Sequence, residues 1–340
     1  MKSLSNLLWG NHAKAGPPDA ERTFNVHPAD PARRESALRL ILGSASHAAS
    51  DSELAEFLNF TRHRGIDLSR LWVAEYDEHA AAAGSSPSPA YAVLPVVSPG
   101  RTMLLLSPTH LLKQTPPHLV RELIDRILAT ADPRDVHLAQ VLLDPQETDA
   151  RQLFQSCGFD LMAELIYLHA LVRSAPSDPA LPPNFSWQSY SPEKHPRFAA
   201  AILASYQDSL DCPSLNGLRD VNDVIAGHKA SGEFDPAHWM LLVESTPDGR
   251  PLDRGVLLLS PTPRADALEL VYIGLAPESR GRQLGTTLFR KALATAARLG
   301  LSRLSLAVDS RNTPAIKLYY RHGMQRLSAR LAMMRDLRRR

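Results

Sequence analysis

Hydrophobic and polar residues follow the same succession of patterns in the two halves of the chain. Segments with an apolar residue at every second position predict strands, and apolar residues three and four positions apart predict amphipathic helices. In the first half these patterns predict one strand, two helices, three strands, a helix, a strand, a helix and a last strand. The segments are 23–27, 31–42, 52–64, 71–76, 91–97, 102–106, 117–130, 137–143, 149–156 and 161–171.

The second half predicts the same elements in the same order. Hairpins come first and a helical crossover follows, which implies a mixed sheet flanked by helices, an α/β (α+β) fold, in each half. The segments are 186–190, 196–205, 220–228, 239–244, 255–259, 267–273, 282–299, 302–308, 313–321 and 325–334.

One helix-start pattern occurs twice, 165 positions apart (312 − 147 = 165). The segment NxxAxxLYxxxGM begins at Asn312, and ExxAxxLFxxxGF begins at Glu147. The apolar members share one helix face and the glycine follows the last turn, so these positions define the fold. The polar members differ, with Tyr319 in place of Phe154. We therefore predict a duplicated domain whose second copy carries the chemistry.

The segment SAPSDPALPP, residues 174–183, contains four prolines and predicts an extended linker. A shorter stretch rich in Pro, Ser, Gly and Ala, at 80–89, predicts a long hairpin loop within the first domain. The sequence thus divides into a flexible tail (1–20), a first domain (21–174), a linker (175–184) and a second domain (185–340).

Composition narrows the functional classes. The chain is 44% apolar and 22% charged, as in ordinary globular proteins, and its net charge of +2 does not favour a polyanionic partner. The arginines at 335 and 338–340 are interpreted as a solvated tail. Cys157 and Cys212 lack metal or redox spacing, so we expect no metal site and a reducing, cytoplasmic location. No apolar stretch reaches the roughly 18 residues of a membrane span.

The clearest chemical signal is the loop GLAPESRGRQLG, residues 274–285, between a strand and a helix. Free backbone N–H groups and the positive end of the helix dipole make such a loop an anion site. Glycines at 281 and 285 allow close approach of a ligand. The alternative is a tight turn with surface arginines.

This region resembles the GNAT superfamily of N-acetyltransferases, whose acyl-CoA loop has the pattern Arg or Gln, two residues, Gly, one residue, Gly or Ala. The match is RGRQLG from Arg280 to Gly285, preceded by the family's apolar-x-Pro at Leu275–Pro277, and it departs from the pattern at Gln283. The resemblance covers about 185–335 and, by repetition, the first half. It implies two tandem GNAT-type domains, each with a mixed, mostly antiparallel sheet flanked by helices.

The resemblance also implies acetyl-CoA as co-substrate. The strand before the loop is expected to diverge from its neighbour and to bind the cofactor arm through the backbone of Ile273 and Leu275, with an oxyanion donor near Leu275. Phosphate contacts are expected from the loop and the first helical turn, that is from Arg280, Gly281, Arg282, Gln283, Leu284, Gly285 and Thr286.

The first copy lacks the glycines and arginines of this loop. The 165-residue offset places the segment TPPHLV, residues 115–120, opposite RGRQLG. Two prolines remove two N–H donors, and neither glycine is present. We therefore predict that the first copy is structural.

In the second copy, family members use direct attack of an amine on the thioester and a Tyr that protonates the sulfur, a role that falls on Tyr319. The alternative is a packed aromatic, as at Phe154, and the neighbouring Tyr320 points about 100° away. Asn312 is predicted to cap the helix, to bind the cofactor arm, or to do both.

A general base is also required, because an alkyl ammonium is protonated at neutral pH. The resemblance suggests Glu269, and an exposed strand glutamate is the alternative. The acceptor pocket is expected at 206–238, where four acidic residues suit a cationic amine and two histidines are interpreted as satisfied surface residues. The acids are Asp208, Asp211, Glu233 and Asp235, and the histidines are His228 and His238.

Together these features predict an acetyl-CoA-dependent N-acetyltransferase that acts on a small-molecule or peptide amine, with no nucleic acid, membrane or metal. One alternative is a non-catalytic module that binds acyl-CoA as a regulatory ligand. A second is a nucleic-acid-associated factor that uses the C-terminal arginines.

Overall fold

The computed structural model describes residues 24–44, 46–76, 89–172, 177–262 and 266–338. The predicted tail, most of the 80–89 loop, the start of the linker and the last two arginines lie outside these ranges. No helix in the described ranges is long and apolar enough to cross a membrane.

The predicted order of elements is confirmed in both halves. The first half contains β1 Phe24–Pro28, α1 Arg34–Leu42, α2 Asp51–Arg64, β2 Trp72–Tyr76, β3 Tyr91–Ser98, β4 Thr102–Leu106, α3 Pro117–Ala129, β5 Leu138–Leu143, α4 Thr148–Ser156 and β6 Asp160–Leu171. The second half contains β7 Phe185–Ser189, α5 His195–Tyr206, α6 Val221–Ala230, β8 Trp239–Ser245, β9 Pro251–Thr262, β10 Ala267–Leu275, α7 Leu284–Arg298, β11 Arg303–Asp309, α8 Thr313–Arg321 and β12 Gln325–Asp336.

The sequence offset is preserved in the last helix and strand of each half. The α8 helix begins and ends 165 residues after α4 (313 − 148 and 321 − 156), and β12 begins and ends 165 residues after β6 (325 − 160 and 336 − 171). The same apolar spacing therefore gives the same local structure twice, as the repeated pattern predicts.

All the strands join one twelve-stranded sheet, in the order β1-β2-β3-β4-β5-β12-β6-β11-β10-β9-β8-β7. Neighbours are antiparallel except for the pairs β4–β5 and β10–β11, which are parallel. The mixed, mostly antiparallel sheet is confirmed. The sequence did not predict that the sheets of the two halves are continuous.

The two halves exchange their last strands. β12 pairs with β5 of the first half, and β6 pairs with β11 of the second half. The cores show the same exchange, because Leu331 and Met333 of β12 pack in the core of the first half and Leu168 of β6 packs in that of the second. Neither half thus completes its sheet or its core with its own residues.

The exchange also changes the interpretation of the C-terminal arginines. Arg335 lies within β12, and its Nη1 donates to the carbonyl of Cys157 (2.7 Å) at the end of α4. Arg338 pairs with Asp336 (2.8 Å). The prediction of a solvated tail is therefore wrong for Arg335, which binds a group of the fold itself, whereas Arg338 is exposed and pairs with a residue two positions away in the chain.

The α7 helix positions the loop before it. Its buried face contains Leu284, Leu288, Phe289, Ala292 and Ala296, at the spacing of one helix face. These side chains pack in the core of the second half together with Leu268 and Leu270 of β10. The start of the helix is consequently held beside the end of that strand.

Candidate active site

The strands β10 and β11 are paired only at their beginnings, where Ala267–Glu269 lies beside Arg303–Ser305. β10 remains paired with β9 as far as Leu275, and β11 remains paired with β6 along its length. Beyond Glu269, the edges of β10 and β11 that face each other have no strand partner. The sheet is open here, and it offers backbone donors and acceptors to a ligand.

A cleft of about 610 Å³ occupies the opening. Its wall contains every site residue predicted from the sequence except Arg282 and Glu269. From the predicted set these are Ile273, Leu275, Arg280, Gly281, Gln283, Leu284, Gly285, Thr286, Asn312 and Tyr319. Sequence reasoning did not place Arg321 here, although it also lines the cleft.

The loop at one end of the cleft, residues 280–285, leaves backbone donors exposed. Within the described ranges, the backbone N–H groups of residues 281–285 donate to no protein acceptor. Gly281 (φ 75°) and Gln283 (φ 61°) adopt left-handed conformations around Arg282, which turns successive N–H groups inward as in an anion-binding nest. These groups lead directly into α7, whose dipole adds positive potential.

Gln283 stands where the family pattern has glycine. A left-handed conformation costs a residue with a side chain about 1–2 kcal/mol, and it is retained here. The backbone path is therefore that of a glycine loop even though the residue is not glycine.

The two loop arginines have protein partners. Arg280 donates to the carbonyls of Ser205 (3.0 Å) and Gln207 (2.7 Å), at the C-terminal end of α5. Arg282 binds both carboxylate oxygens of Glu244 (2.7 and 3.1 Å). Sequence reasoning expected both guanidinium groups at the phosphates, whereas the structure uses them to fasten the loop to α5 and β8.

Glu244 accepts hydrogen bonds from two arginines. Arg254 also donates to it (2.6 Å), and the paired arginines, Arg282 foremost, lower the pKa of Glu244 to about 2. The carboxylate stays ionised at neutral pH, and the charge of Arg282 is balanced outside the cleft.

The α8 helix supplies the polar residues of the opposite wall. Asn312 Oδ1 accepts a long hydrogen bond from the N–H of Ala315 (3.4 Å), which makes Asn312 the N-cap. The ring of Tyr319 packs against Phe289 (centroids 5.3 Å apart) and is 3% exposed. Tyr319 lines the cleft, and its hydroxyl makes no hydrogen bond to the described part of the chain. Burial raises the pKa of this phenol far above its usual value, and the charge of Asp211 raises it further.

Residues 191–324 match the model of the acetyltransferase (GNAT) family. They contain the opened strand pair, the loop and Tyr319. This part of the chain is similar to the GNAT acetyltransferase family. A mycothiol acetyltransferase of Clavibacter sepedonicus is 27% identical over 312 residues, which is 89% of this chain and 92% of that protein.

Another mycothiol acetyltransferase, of Renibacterium salmoninarum, is 26% identical over 182 residues. The match spans 53% of this chain and about half of that relative (53%). Among solved structures, a GCN5-related N-acetyltransferase from Sphaerobacter thermophilus has a TM-score of 0.59 at 18% identity, covering 92% of this chain and 96% of its own. That likeness shows a shared fold.

Glu269, the base suggested by the GNAT resemblance, lies where β10 is still paired with β11. It is outside the cleft wall. Burial raises its pKa, and Arg64 of the first half acts in the opposite direction. Glu269 is thus half-buried, and it is not an exposed strand residue.

Two of the four acidic residues in the predicted acceptor segment, 206–238, line the cleft. Asp208 and Asp211 line the cleft, whereas Glu233 and Asp235 do not. Asp235 instead accepts a hydrogen bond from the N–H of Ala237 (2.8 Å).

His228 is not a satisfied surface histidine. Its ring stacks on Tyr272 (centroids 5.5 Å apart), and its buried Nε2 has no partner in the described ranges. Burial, with a contribution from Arg219, lowers its pKa to about 4, so the ring is neutral at physiological pH. Tyr272 in turn hydrogen-bonds Ser205 (2.7 Å), and both residues line the cleft.

Proposed function

We propose that the second half of this chain transfers the acetyl group of acetyl-CoA directly to the amine of a small molecule, and that the first half is a structural copy. The observation that carries the proposal is the row of five free N–H groups, residues 281–285, at the end of an opened strand pair that also holds a phenol. An anion site and a proton donor thus share one cleft.

The loop fits a diphosphate. A side chain at Gly281 would meet nothing within 4 Å, and one at Gly285 would come within 3.6 Å of Leu318, so both glycines leave room in front of the N–H groups. The five donors and the α7 dipole would hold the phosphates. The unpaired edge of β10, at Ile273 and Leu275, would hold the amide groups of the cofactor arm, and Asn312 has amide hydrogens left to donate.

Acetyl-CoA supplies the acyl group as a thioester. Tyr319 holds a proton in the apolar wall of the cleft, and its raised pKa keeps it protonated at neutral pH. Its hydroxyl would donate this proton to the departing sulfur, and a backbone N–H near Leu275 would stabilise the negative charge that forms on the carbonyl oxygen. The chain forms no covalent bond to the acyl group in this scheme.

A small amine is the acceptor that the cleft favours. Asp208 and Asp211 bring negative charge to the cleft, where the charge of Asp211 acts on Tyr319, and a protonated amine is attracted to it. The relatives from Clavibacter and Renibacterium are named for acetylation of mycothiol, a small molecule, which supports the same acceptor class for this chain.

The test is thiol release from acetyl-CoA in the presence of a panel of amines. We expect turnover with at least one small amine, and we expect Tyr319→Phe to lower kcat about 100-fold while the Kd of acetyl-CoA changes less than twofold. Tyr320→Phe is the matched control, because this neighbouring hydroxyl lies outside the cleft wall on a side chain that is 46% exposed. Binding of acetyl-CoA without turnover of any amine would instead identify a regulatory acyl-CoA-binding module.

A further inference from the structure

The connection between α5 and α6, residues 207–220, is fastened to the end of β11 by a reciprocal pair of hydrogen bonds. The N–H of Asp309 donates to Asp211 Oδ1 (3.2 Å), and the N–H of Cys212 donates to Asp309 Oδ2 (3.0 Å). Arg311 balances the buried Asp309 carboxylate (2.7 Å). Asp211 is thereby fixed in the cleft wall and is not part of a solvated loop.

Among the carboxylates, Asp211 is the one whose charge acts on the pKa of the proposed proton donor, Tyr319. Its charge raises the pKa of Tyr319, and also those of Tyr206 and Tyr272. Glu269 has no such effect on these three phenols, and its charge acts on Tyr167 of β6 instead. Asp211 and Tyr319 also line the same cleft, whereas Glu269 does not line it.

We propose that Asp211 receives the acceptor: its carboxylate binds the ammonium group of the incoming amine and then takes its proton. This inference rests on the acetyl transfer proposed above. It assigns the general base to the α5–α6 connection, which the sequence predicted only as part of an acidic acceptor pocket, and not to the strand position that the family resemblance suggests.

The proton balance closes with these two residues and water. The ammonium loses one proton to Asp211, and the neutral amine attacks the thioester carbon. The C–N bond forms, the C–S bond breaks, the sulfur takes the proton of Tyr319, and the nitrogen releases its second proton to water in the cleft. The proton held by Asp211 then returns to the Tyr319 oxygen through water, which restores both groups, so that each transfer from an ammonium releases one proton to the solvent.

The surroundings of Asp211 suit this role. Burial raises its pKa, and the charge of Asp309 adds to the effect, while the Asp309 N–H and the Asn312 side chain act against it. A base of higher pKa holds the transferred proton more firmly. The charge of Asp211 raises the pKa values of Tyr206, Cys212, Tyr272 and Tyr319, and Asp309 and Asn312 act on the pKa of Asp211 itself.

The experiment compares two nucleophiles in Asp211→Asn. Asparagine keeps an oxygen for the Asp309 N–H but cannot accept a proton. With a primary alkylamine, which arrives protonated, we expect kcat/KM at pH 7 to fall about 100-fold. With hydroxylamine, which is neutral at pH 7 and needs no base, we expect less than a threefold loss. Asp220→Asn is the control, because this exposed residue caps α6 and asparagine caps as well as aspartate.

Three results would overturn the assignment. Equal losses with both nucleophiles would mean that Asp211 only holds the loop. An active Asp211→Asn beside an inactive Glu269→Gln would place the base on β10. Absence of transfer by the unaltered chain to every amine would refute the proposed function, and the base assignment with it. Asp211→Glu guards against a folding defect, since it restores a carboxylate and should recover part of the alkylamine rate.

Discussion

The α3 and α7 helices occupy the same place in the two halves, yet α7 begins with more free donors. In the first half, Pro116 and Pro117 have no N–H. In the second half, the N–H groups of 281–285 have no acceptor in the described ranges. A few differences at the helix start therefore change how many backbone donors it offers, while both halves keep a helix in this place.

The strands before α3 and α7 also differ, in the length of their unpaired edge. β4 ends two residues after its last pair with β5 (106 − 104), whereas β10 continues for six residues beyond its last pair with β11 (275 − 269). Only the second half exposes a long edge. The free N–H groups and the unpaired strand edge thus occur in the same half. This is the pattern expected of a duplication in which one copy retained a cleft.

The largest expected effect concerns the exchange of last strands. A chain that ends at residue 174 would contain β6 without β12 or β11, and its core would lack Leu331 and Met333. We expect this fragment to show no cooperative thermal transition, while the full chain unfolds in one. A fragment that unfolds cooperatively by calorimetry would show that the first half is an independent domain.

The next effect concerns the two helix starts. Gly285→Glu places a negative charge among the free N–H groups, and we expect the Kd of acetyl-CoA to rise about 100-fold, equivalent to about 2.7 kcal/mol. His118→Glu, an exposed site in the first turn of α3, is the matched control and should leave the Kd unchanged. Both are measured by titration calorimetry. If both variants weaken binding, the first copy also contacts the cofactor.

A third prediction compares the repeated aromatic position. Phe154 is fully buried, with its ring edge-on to Phe159 (5.4 Å), so Phe154→Tyr would bury a hydroxyl without a partner. We expect a loss of about 1–3 kcal/mol in the free energy of unfolding. Tyr319→Phe should cost less than about 0.5 kcal/mol, because that hydroxyl binds no described protein group. Urea denaturation measures both, and equal costs would remove the distinction between the copies.

Much of this organisation could be predicted from sequence because it depends on local periodicity. The ten elements of each half, the loop, and the cap formed by Asn312 follow from residues that are close together in the chain. The strand exchange could not be predicted, since the alternation within β6 is the same whichever neighbour it pairs with.

Within the site, contacts between residues that are far apart in the sequence could not be predicted either. Nothing near Arg282 in the sequence indicates that Glu244, 38 residues earlier, will bind it. Asp211 lies in a loop whose acidic composition is also typical of a solvated connection, and its hydrogen bond with the Asp309 N–H, 98 residues later in the sequence, could not be predicted. Residue type and spacing located the loop and the phenol, whereas the charge pairing around them depended on the fold.

The smallest expected effect concerns Gln283. Because it occupies a left-handed conformation, Gln283→Gly should relieve strain of about 1 kcal/mol and would restore the family pattern. The greater freedom of glycine in the unfolded chain offsets part of this gain, so we expect a rise in unfolding free energy of less than about 1 kcal/mol. The Kd of acetyl-CoA should change less than threefold, because the donors belong to the backbone. A tenfold loss of affinity would show that the Gln283 amide itself binds the phosphates, and that the second copy replaced a glycine with a ligand contact.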